Sequence, residues 1–428
     1  MSVIHTVHAW ASYLTKSLQS IYPQFFFADI TLKDHYNQST IPDGHASTPV
    51  VSIVGTGSYY PPNTKTPECL EEIISTYYDI DPILKKTLEI NKRSRIQQRH
   101  FAIPDDDPYW KDENIPSIAD CDAIFKQYGV SLAEEAARKA LGDWGGSYED
   151  ITHVIAVTCT NTANPGFDFI LSERLGLHKS VKRTLLHGVG CAGGVAALRT
   201  ANELLLGASA LGKTGKALVV ACELVSIFCR AELAAIVRDQ QVNIGVTLFG
   251  DGAGALVLSN GIGTQSSEKA PLWNILNVRS TILKDSANCL EFNVHPHGYH
   301  AVISKDVPQH VSASLPAGFQ DLISTTPFLC LSKANFEASS YDWALHPGGY
   351  DILLRAQNVL NISEHHLRKS YDVYKTHGNT SSATILSIIH ELAIEEGSAR
   401  IGRDRVVVGA FGPGMTMEMA VMTRVTQQ

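Results

Sequence analysis

Paired cysteines are missing from this 428-residue chain, because none of its eight cysteines belongs to a CxxC motif. Neither a zinc site nor a disulfide framework is therefore indicated, and free thiols suit a reducing compartment. No apolar run reaches membrane-spanning length. The first residues also lack the basic segment and uniform apolar core of a signal peptide, so we expect a cytoplasmic protein without a membrane span.

Positively charged residues are also fewer than negatively charged ones. The chain has 35 Lys and Arg and 43 Asp and Glu, which give a formal net charge of -8. Nucleic acid and anionic membranes are therefore poor candidate partners for the general surface. With 44% apolar and 18% charged residues, the chain has enough material for a large core in one or two domains.

Residues 1–48 are predicted to form an extension and linker. Apolar side chains recur at helical spacing between Val7 and Ile21, and the polar segment from Ser39 to Pro49 is broken by prolines and a glycine. The stripe favours packing on this protein or on a partner subunit over packing on a membrane.

From Val50 onward, strand-like and helix-like stretches alternate, which predicts an α/β fold with largely buried strands. The expected strands are Val50 to Val54, His153 to Val157, Ala217 to Ala221, Ala253 to Leu258, Trp273 to Ile282, Trp343 to Leu345 and Val406 to Phe411. The expected helices include Cys69 to Tyr77, Leu132 to Leu141, Phe169 to Leu175, Ala192 to Leu206, Tyr350 to Leu360 and Ser381 to Glu395.

A weak internal echo suggests two related halves. FGDGAG from Phe249 and FGPGM from Phe411 are each glycine turns that lead into an apolar strand. Two halves at 49–268 and 269–428 would explain the similarity, although such turns are common before strands.

The stretch around Cys191, LLHGVGCAGGVAA, combines a short strand, a glycine-rich corner and a buried helix. This order predicts that Cys191 lies at a helix N-terminus, where unpaired N–H groups and the helix dipole favour a thiolate. The alternative is a buried structural thiol, which is the usual fate of cysteine.

Two distant stretches offer groups that a thiol nucleophile needs. His346 ends an apolar strand before a proline-glycine turn, and Asn379 precedes a buried helix with Ser381 beside it. Taken singly, His346 could be a core histidine and Asn379 an ordinary helix N-cap. Together with Cys191, they form a set at the ends of buried elements, where active sites commonly form.

The ordered set of HGVGCAGG, LFGDGAGA, LHPGGYDIL, GNTSSATIL and GAFGPG resembles the type III polyketide synthases, the chalcone synthase family. The resemblance covers Val50 to Val425 and is strongest to the fungal branch. It implies a thiolase-like fold of two related halves, layered αβαβα, and a homodimer. Coenzyme A thioesters would be substrates, with no cofactor and no metal.

The resemblance also assigns roles to the central residues. Cys191 would take the starter acyl group from coenzyme A, and His346 would hold its thiolate as an ion pair. His346 and Asn379 would bind the malonyl thioester oxygen and stabilise the enolate formed on decarboxylation. One oxyanion donor is typically worth about 3 to 4 kcal/mol.

Further positions match the substrate-binding residues of the family. Phe249 corresponds to a gatekeeper between the pocket and the coenzyme A tunnel, although it could simply be a core residue. Ser381, Gly348, Thr160 and Cys159 match pocket positions. Lys86 and Arg93 match cations at the tunnel mouth, in a run that could equally be a solvated helix face, and a family arginine between them is Glu89 here.

Two departures concern pocket shape. A second gatekeeping phenylalanine of the family is Ala301 here, and a methionine that reaches into the partner's pocket in plant members is Asn164. Ala301 would open space for an aliphatic chain, unless Phe249 or Phe292 fills it.

These features predict an enzyme that condenses a medium to long fatty acyl-CoA starter with malonyl-CoA and releases an alkylpyrone or alkylresorcinol. One alternative is a single-condensation ketoacyl synthase III-like enzyme of fatty-acid synthesis. The other is a non-catalytic acyl-CoA-binding homologue, which would have no need of Cys191, His346 and Asn379 together.

Overall fold

The computed structural model describes residues 49–327, 333–396 and 402–425. The sequence predictions for residues 1–48, and Cys330, lie outside the described residues. The prediction of separate halves at 49–268 and 269–428 stays a prediction as to its boundary.

Thirteen strands are present in the described ranges. They are β1 (Val51–Tyr59), β2 (Thr64–Lys65), β3 (Arg99–His100), β4 (His153–Val157), β5 (Lys182–Leu186), β6 (Lys216–Glu223), β7 (Gly252–Ser259), β8 (Trp273–Ile282), β9 (Leu290–His295), β10 (Gly298–Ile303), β11 (Asp342–Leu345), β12 (Arg405–Gly412) and β13 (Thr416–Arg424).

Twelve α-helices accompany them in the same ranges. They are α1 (Cys69–Tyr77), α2 (Pro82–Arg93), α3 (Ile118–Ile124), α4 (Val130–Trp144), α5 (Phe167–Leu175), α6 (Gly193–Ala210), α7 (Cys229–Asp239), α8 (Gly245–Leu248), α9 (Val307–Ser324), α10 (Tyr350–Leu360), α11 (Arg368–His377) and α12 (Ser382–Glu396). A π-helical turn covers Phe125–Gly129, and 3-10 turns cover Pro108–Trp110, Tyr148–Asp150, Gly190–Ala192, Val225–Phe228, Lys333–Phe336, Ala338–Ser340 and Glu364–Leu367.

Nine strands form one sheet in the order β11-β12-β13-β8-β1-β7-β6-β4-β5. On one side, β4 runs parallel to β6, which is antiparallel to β7, which is antiparallel to β1. On the other side, β11, β12, β13 and β8 repeat the same order and directions. The echo between the two glycine turns therefore reflects two related halves, joined where β1 pairs with β8.

The core residues show five layers. Along β6, Val219 faces a cluster shared with α6 and α12, and the next residue, Val220, faces a cluster formed with α4 and α5. Along β12, Val408 faces the same central cluster, whereas Val407 faces α9 and α10. Because successive strand residues point to opposite faces, both halves of the sheet are covered on both sides. Helices α6 and α12 therefore form the middle of an αβαβα arrangement.

Most predicted elements are present, with longer ends. β1 continues to Tyr59, five residues beyond the predicted end, and α4 extends on both sides of its predicted range. The strands β4 and β8 and the helices α1 and α10 have the predicted bounds.

No helix in the described ranges combines the length and apolar character needed to cross a membrane. Within those ranges, no group of three His, Cys, Asp or Glu side chains is arranged to hold a metal ion.

Candidate active site

Cys191 lies in the 3-10 turn Gly190–Ala192, which leads directly into α6, as the sequence predicts. Gly190 has a φ of +45°, and a Cβ there would lie 2.6 Å from Pro413 Cδ. Glycine is therefore required both for the backbone conformation and for the contact with the β12–β13 turn. The Cys191 side chain is half-buried at the helix N-terminus.

The two central helices approach closely beside this cysteine. A Cβ on Gly194 would lie 2.4 Å from Ile385 Cγ2 and 2.5 Å from the Ser382 carbonyl oxygen, so a larger residue would separate α6 from α12. This approach brings Cys191 next to the segment before α12, and its Sγ donates to Ser381 Oγ at 3.6 Å.

His346 follows β11 and is 2% exposed. Its Nδ1 accepts from the backbone N–H of Gly348 at 3.1 Å, and its Nε2 lies 3.0 Å from the Ser381 carbonyl oxygen. A carbonyl can only accept, so Nε2 carries the proton and the ring is neutral. Burial lowers the pKa of His346 to about 4, although its hydrogen bonds act in the opposite direction.

Both ends of the Asn379 amide are fixed by backbone groups. Its Oδ1 accepts from Ser381 N at 2.7 Å, and its Nδ2 donates to Gly348 O at 3.1 Å. The first bond is a local turn just before α12, so the expected capping alternative is partly correct. The Asn379 side chain also hydrogen-bonds the side chains of Cys191 and His346, so a substrate oxygen would replace one of these partners.

The predicted ion pair between Cys191 and His346 stays a prediction. In the structure Nδ1, the nitrogen that would need a second proton, accepts from Gly348 N. Burial raises the pKa of the Cys191 thiol to about 11, against the lowering effect of the Ser381 and Asn379 hydrogen bonds. Desolvation therefore opposes the charged form of both groups.

A cavity of about 320 Å³, here called the mouth cavity, contains all three residues in its lining, together with Phe249 and Gly348. The exposed cations Arg93 and Lys305 also line it. Lys86 lies outside this lining, exposed on α2 two helical turns before Arg93. Positions seven apart share a helix face, so the role of Lys86 stays a prediction.

Two small cavities of about 30 Å³ each lie deeper. The thiol cavity is lined by Cys191, Cys159, Ser381, Phe249, Phe292 and Ala301, among others. The inner cavity is lined by Phe249, Phe292 and Ala301 and by residues of α7, including Cys229 and Glu232. Phe249 thus lies where the mouth, thiol and inner cavities meet. Ala301 pairs with Phe292 across the β9–β10 hairpin, so Phe292 occupies part of the space that the sequence assigns to an aliphatic chain.

Thr160 does not line these three cavities, in contrast to its predicted place in the pocket wall. It is buried, and its hydroxyl donates to Glu223 at 3.0 Å. Glu223 is fully buried and also accepts from Thr158, from Cys159 N and from Ser382. Burial raises the pKa of Glu223 in spite of these donors.

Glu223 is a site residue that the sequence predictions missed. It ends β6, where a carboxylate after an apolar strand gives no sign of its partners. The concentration of small hydroxyl residues in TCTNT and NTSS was the available signal, because buried carboxylates need donors.

The five layers and the cysteine at the N-terminus of a central helix define a thiolase-fold acyltransferase. The family models for the N-terminal and C-terminal domains of chalcone and stilbene synthases match residues 51–262 and 274–426. The chain is 47% identical to the acylalkylpyrone synthase csyB of Aspergillus oryzae over 374 residues, covering 87% of this chain and 94% of that protein.

Solved structures agree. The structure of CsyB complexed with CoA-SH has a TM-score of 0.87 and 47% identity, covering 88% of this chain and all of the other. A type III pentaketide synthase from Neurospora crassa has a TM-score of 0.84 and 37% identity, with the same coverage. The chain belongs to the chalcone and stilbene synthase family and is a type III polyketide synthase of the fungal kind. Membership of this family excludes the two alternative functions considered from the sequence, namely a single-condensation synthase and a non-catalytic homologue.

Proposed function

We propose that this enzyme loads a medium- to long-chain fatty acyl group from coenzyme A onto Cys191 and extends it with malonyl-CoA. It then closes the chain to an alkylpyrone or alkylresorcinol, and it needs no further cofactor. The observation that carries the chemistry is the pair of donors, His346 Nε2–H and Asn379 Nδ2–H, in the same cavity as the thiol.

Loading is a thioester exchange. The Cys191 sulfur attacks the acyl carbonyl, the carbon–sulfur bond to coenzyme A breaks, and the thiol proton ends on the coenzyme A sulfur. Arg93 and Lys305 at the mouth cavity supply positive charge for the phosphates of coenzyme A. The relative that was crystallised with CoA-SH supports this class of substrate.

Extension uses the two donors. The malonyl thioester oxygen takes the place of Ser381 O as the acceptor for His346 Nε2–H and accepts from Asn379 Nδ2–H in place of a present partner of that amide. As the bond to carbon dioxide breaks, its electron pair moves into the enolate, whose negative oxygen both donors stabilise. The enolate carbon then attacks the Cys191 thioester, the bond from the acyl carbon to the Cys191 sulfur breaks, and the extended chain is left on coenzyme A until it returns to Cys191 for another round.

A comparison of three variants tests these roles. Cys191→Ala should abolish condensation but still decarboxylate malonyl-CoA, because decarboxylation uses only the two donors. His346→Ala and Asn379→Ala should each lower decarboxylation about 100- to 1,000-fold. Carbon dioxide release is measured separately from polyketide formation, and unimpaired release in both donor variants would contradict the assignment.

The acyl starter and the alkylpyrone product are supported by two observations. A relative 47% identical to this chain is an acylalkylpyrone synthase. The small side chain of Ala301 also separates the thiol cavity from the inner cavity, so modest movement would join them. Mass analysis of products from a series of acyl-CoA starters tests this part.

We also infer a homodimer. β5 is the edge strand of the nine-stranded sheet, and Lys182 and Arg183 on it are exposed. Phe169 beside it is 40% exposed, under the Arg183 guanidinium at 5.0 Å from the ring centroid. The exposed lysine and arginine oppose direct strand pairing at this edge, so the exposed Phe169 ring is the feature that favours contact with a second copy. Sedimentation equilibrium should give a dimer, and Phe169→Asp should weaken it; a monomeric wild type would contradict the inference.

A further inference from the structure

Glu232 on α7 holds the β9–β10 hairpin from inside the protein. The residue is 6% exposed, and its Oε1 accepts from Ala301 N at 2.8 Å. Oε1 also lies 3.3 Å from His300 Nδ1, and Oε2 accepts from Asn243 Nδ2. Asn243 Nδ2 in turn donates to Ala301 O at 2.8 Å, so the backbone of Ala301 is held on both sides.

This carboxylate separates two spaces. Glu232 lines the inner cavity of about 30 Å³, which shares Phe249, Phe292 and Ala301 with the lining of the thiol cavity. It also lines a pocket of about 210 Å³ on the far side, here called the outer pocket. Apolar side chains from α7 and from its neighbours form one part of the outer pocket, namely Ile115, Ala231, Ala234, Ala235 and Val294, and polar side chains form another part, namely Arg238, Asp239, Asn293, His295, His297 and His300.

We propose that Glu232 is the end wall of the starter site and sets the longest acyl chain that the enzyme accepts, an inference that rests on the proposed function. An acyl chain attached to Cys191 that extends past Ala301 meets the carboxylate before it reaches the apolar part of the outer pocket, where Ala231, Ala234 and Ala235 lie. Moving the carboxylate would leave Ala301 N and Asn243 without their partner, and unpaired buried polar groups are costly. Methylenes beyond this point therefore gain nothing in the wild-type enzyme.

A graded series of substitutions tests the wall. The enzyme, with malonyl-CoA, is given saturated acyl-CoA starters of increasing length, and kcat/KM is measured for each. Glu232→Asp moves the carboxylate back by one methylene, and Glu232→Ala joins the inner cavity to the outer pocket. The maximum should move to longer starters in that order, with each newly accommodated methylene raising kcat/KM about fourfold.

Two controls separate length from general damage. Glu232→Gln keeps the size of the wall and should keep the wild-type length limit. In Glu232→Ala, the added substitution Ala235→Phe should restore that limit, because the ring would fill the outer pocket that Ala235 lines. If Glu232→Ala does not fold, the Asp and Gln variants still decide the outcome.

The outcomes are distinct. The wild-type enzyme could make polyketides while Glu232→Asp and any folded Glu232→Ala keep its length limit. That result would overturn the proposal that Glu232 is the end wall and would leave the proposed function intact. A shift in Glu232→Gln as large as that in Glu232→Asp would also overturn the proposal of an end wall. Absence of polyketide from the wild type with every starter would overturn the proposed function itself.

Discussion

At the scale of single residues, Ser381 connects the members of the active site. Its hydroxyl lies 3.6 Å from Cys191 Sγ and 3.4 Å from Cys159 Sγ, its N–H bonds Asn379, and its carbonyl accepts from His346. It does so with a φ of +49°, which is uncommon for a residue with a side chain. Such strain is tolerated where the surrounding contacts require it.

Ser381→Ala should move the pH of Cys191 alkylation upward. The Ser381 hydrogen bond lowers the pKa of the Cys191 thiol, so its loss leaves the thiolate less stable. The measurement is iodoacetamide inactivation across pH. Ser387→Ala, whose hydroxyl accepts from Ser58 farther along α12, is the control and should leave the midpoint unchanged. An unchanged or lower midpoint in Ser381→Ala would contradict the contact.

The same titration of the wild type decides between two expectations for Cys191. The sequence predicts reaction well below the free-cysteine pKa of about 8.5. Burial, which raises the pKa of the Cys191 thiol, places the midpoint above that value instead.

Ala301→Phe should lower kcat/KM for long starters while sparing short ones. The ring would fill the thiol and inner cavities, which Ala301 lines and which are about 30 Å³ each. Each methylene excluded costs about 0.8 kcal/mol, or roughly fourfold. Val302→Phe is a matched control, because Val302 is 37% exposed on the next position of the same strand. Equal losses for both starter lengths would show that Ala301 does not line the acyl path.

Sequence reasoning found Cys191, His346 and Asn379 because each belongs to a local motif with glycine beside it. It could not find the protonation state of His346, which depends on backbone contacts to Gly348 and Ser381. It also missed Glu223 and Glu232, because their hydrogen-bond partners lie far away along the chain. Buried carboxylates in short apolar contexts carry little local signal.

At the scale of elements, the crossing of α6 and α12 positions the nucleophile. Gly194→Ala should destabilise the protein by about 1 to 3 kcal/mol, because the new methyl group has no room against Ile385 and Ser382. It should also reduce condensation, since the crossing sets the distance from Cys191 to Ser381. Urea unfolding and product formation measure the two effects.

Gly207→Ala on the same helix is the matched control for that substitution. A Cβ there meets no atom within 4 Å, so it should stabilise the helix by about 0.5 to 1 kcal/mol and leave activity unchanged. If Gly194→Ala and Gly207→Ala changed stability and product formation equally, the close approach of α6 and α12 would not be what positions Cys191.

Helices and strands with a clear apolar pattern could be predicted from the sequence. Those whose pattern is interrupted by proline or by polar residues could not. β6 is buried along its whole length and reads as a continuous apolar run. In contrast, α9 contains Pro316 in its interior, and α2 is mostly polar outside its few buried positions. The β9–β10 hairpin was also missed, since its strands are largely half-buried or exposed and include two histidines.

At the scale of the whole molecule, a buried ion pair anchors the link between the halves. Lys216 and Glu268 are each 1% exposed at the side chain, and Glu268 also accepts from Trp144 Nε1 at 2.9 Å. The Trp144 ring lies 5.1 Å from Lys216 Nζ. The segment that leads to β8 is therefore tied to the N-terminal half.

Lys216→Met should cost about 3 to 5 kcal/mol, because it leaves the Glu268 carboxylate buried without its partner. Lys216→Met with Glu268→Met should recover part of that loss. Lys269→Met removes the exposed pair with Asp143 and should cost less than about 1 kcal/mol. Denaturant unfolding measures all three, and equal losses for Lys216→Met and Lys269→Met would contradict the role of the buried pair.

The layered architecture of two related halves could be predicted, because ordered motifs and alternating elements report topology. The pairing of β1 with β8, which makes one sheet of the two halves, could not, because strand partners are not encoded in the pattern of either strand.

That pairing has a consequence for the timing of catalysis. With a shared sheet and a central helix layer common to both halves, the described part of the chain offers no hinge about which one half could swing to admit a substrate. We therefore expect admission to depend on side-chain rotation, with Phe249 as the predicted gatekeeper, and such rotation is faster than the microsecond-to-millisecond closure of hinged enzymes. Successive rounds of extension can thus proceed without reopening a domain between them. An inhibitor that holds such an enzyme in one conformation would have to block the rotation of a side chain, because a cross-link between the two halves would not change it.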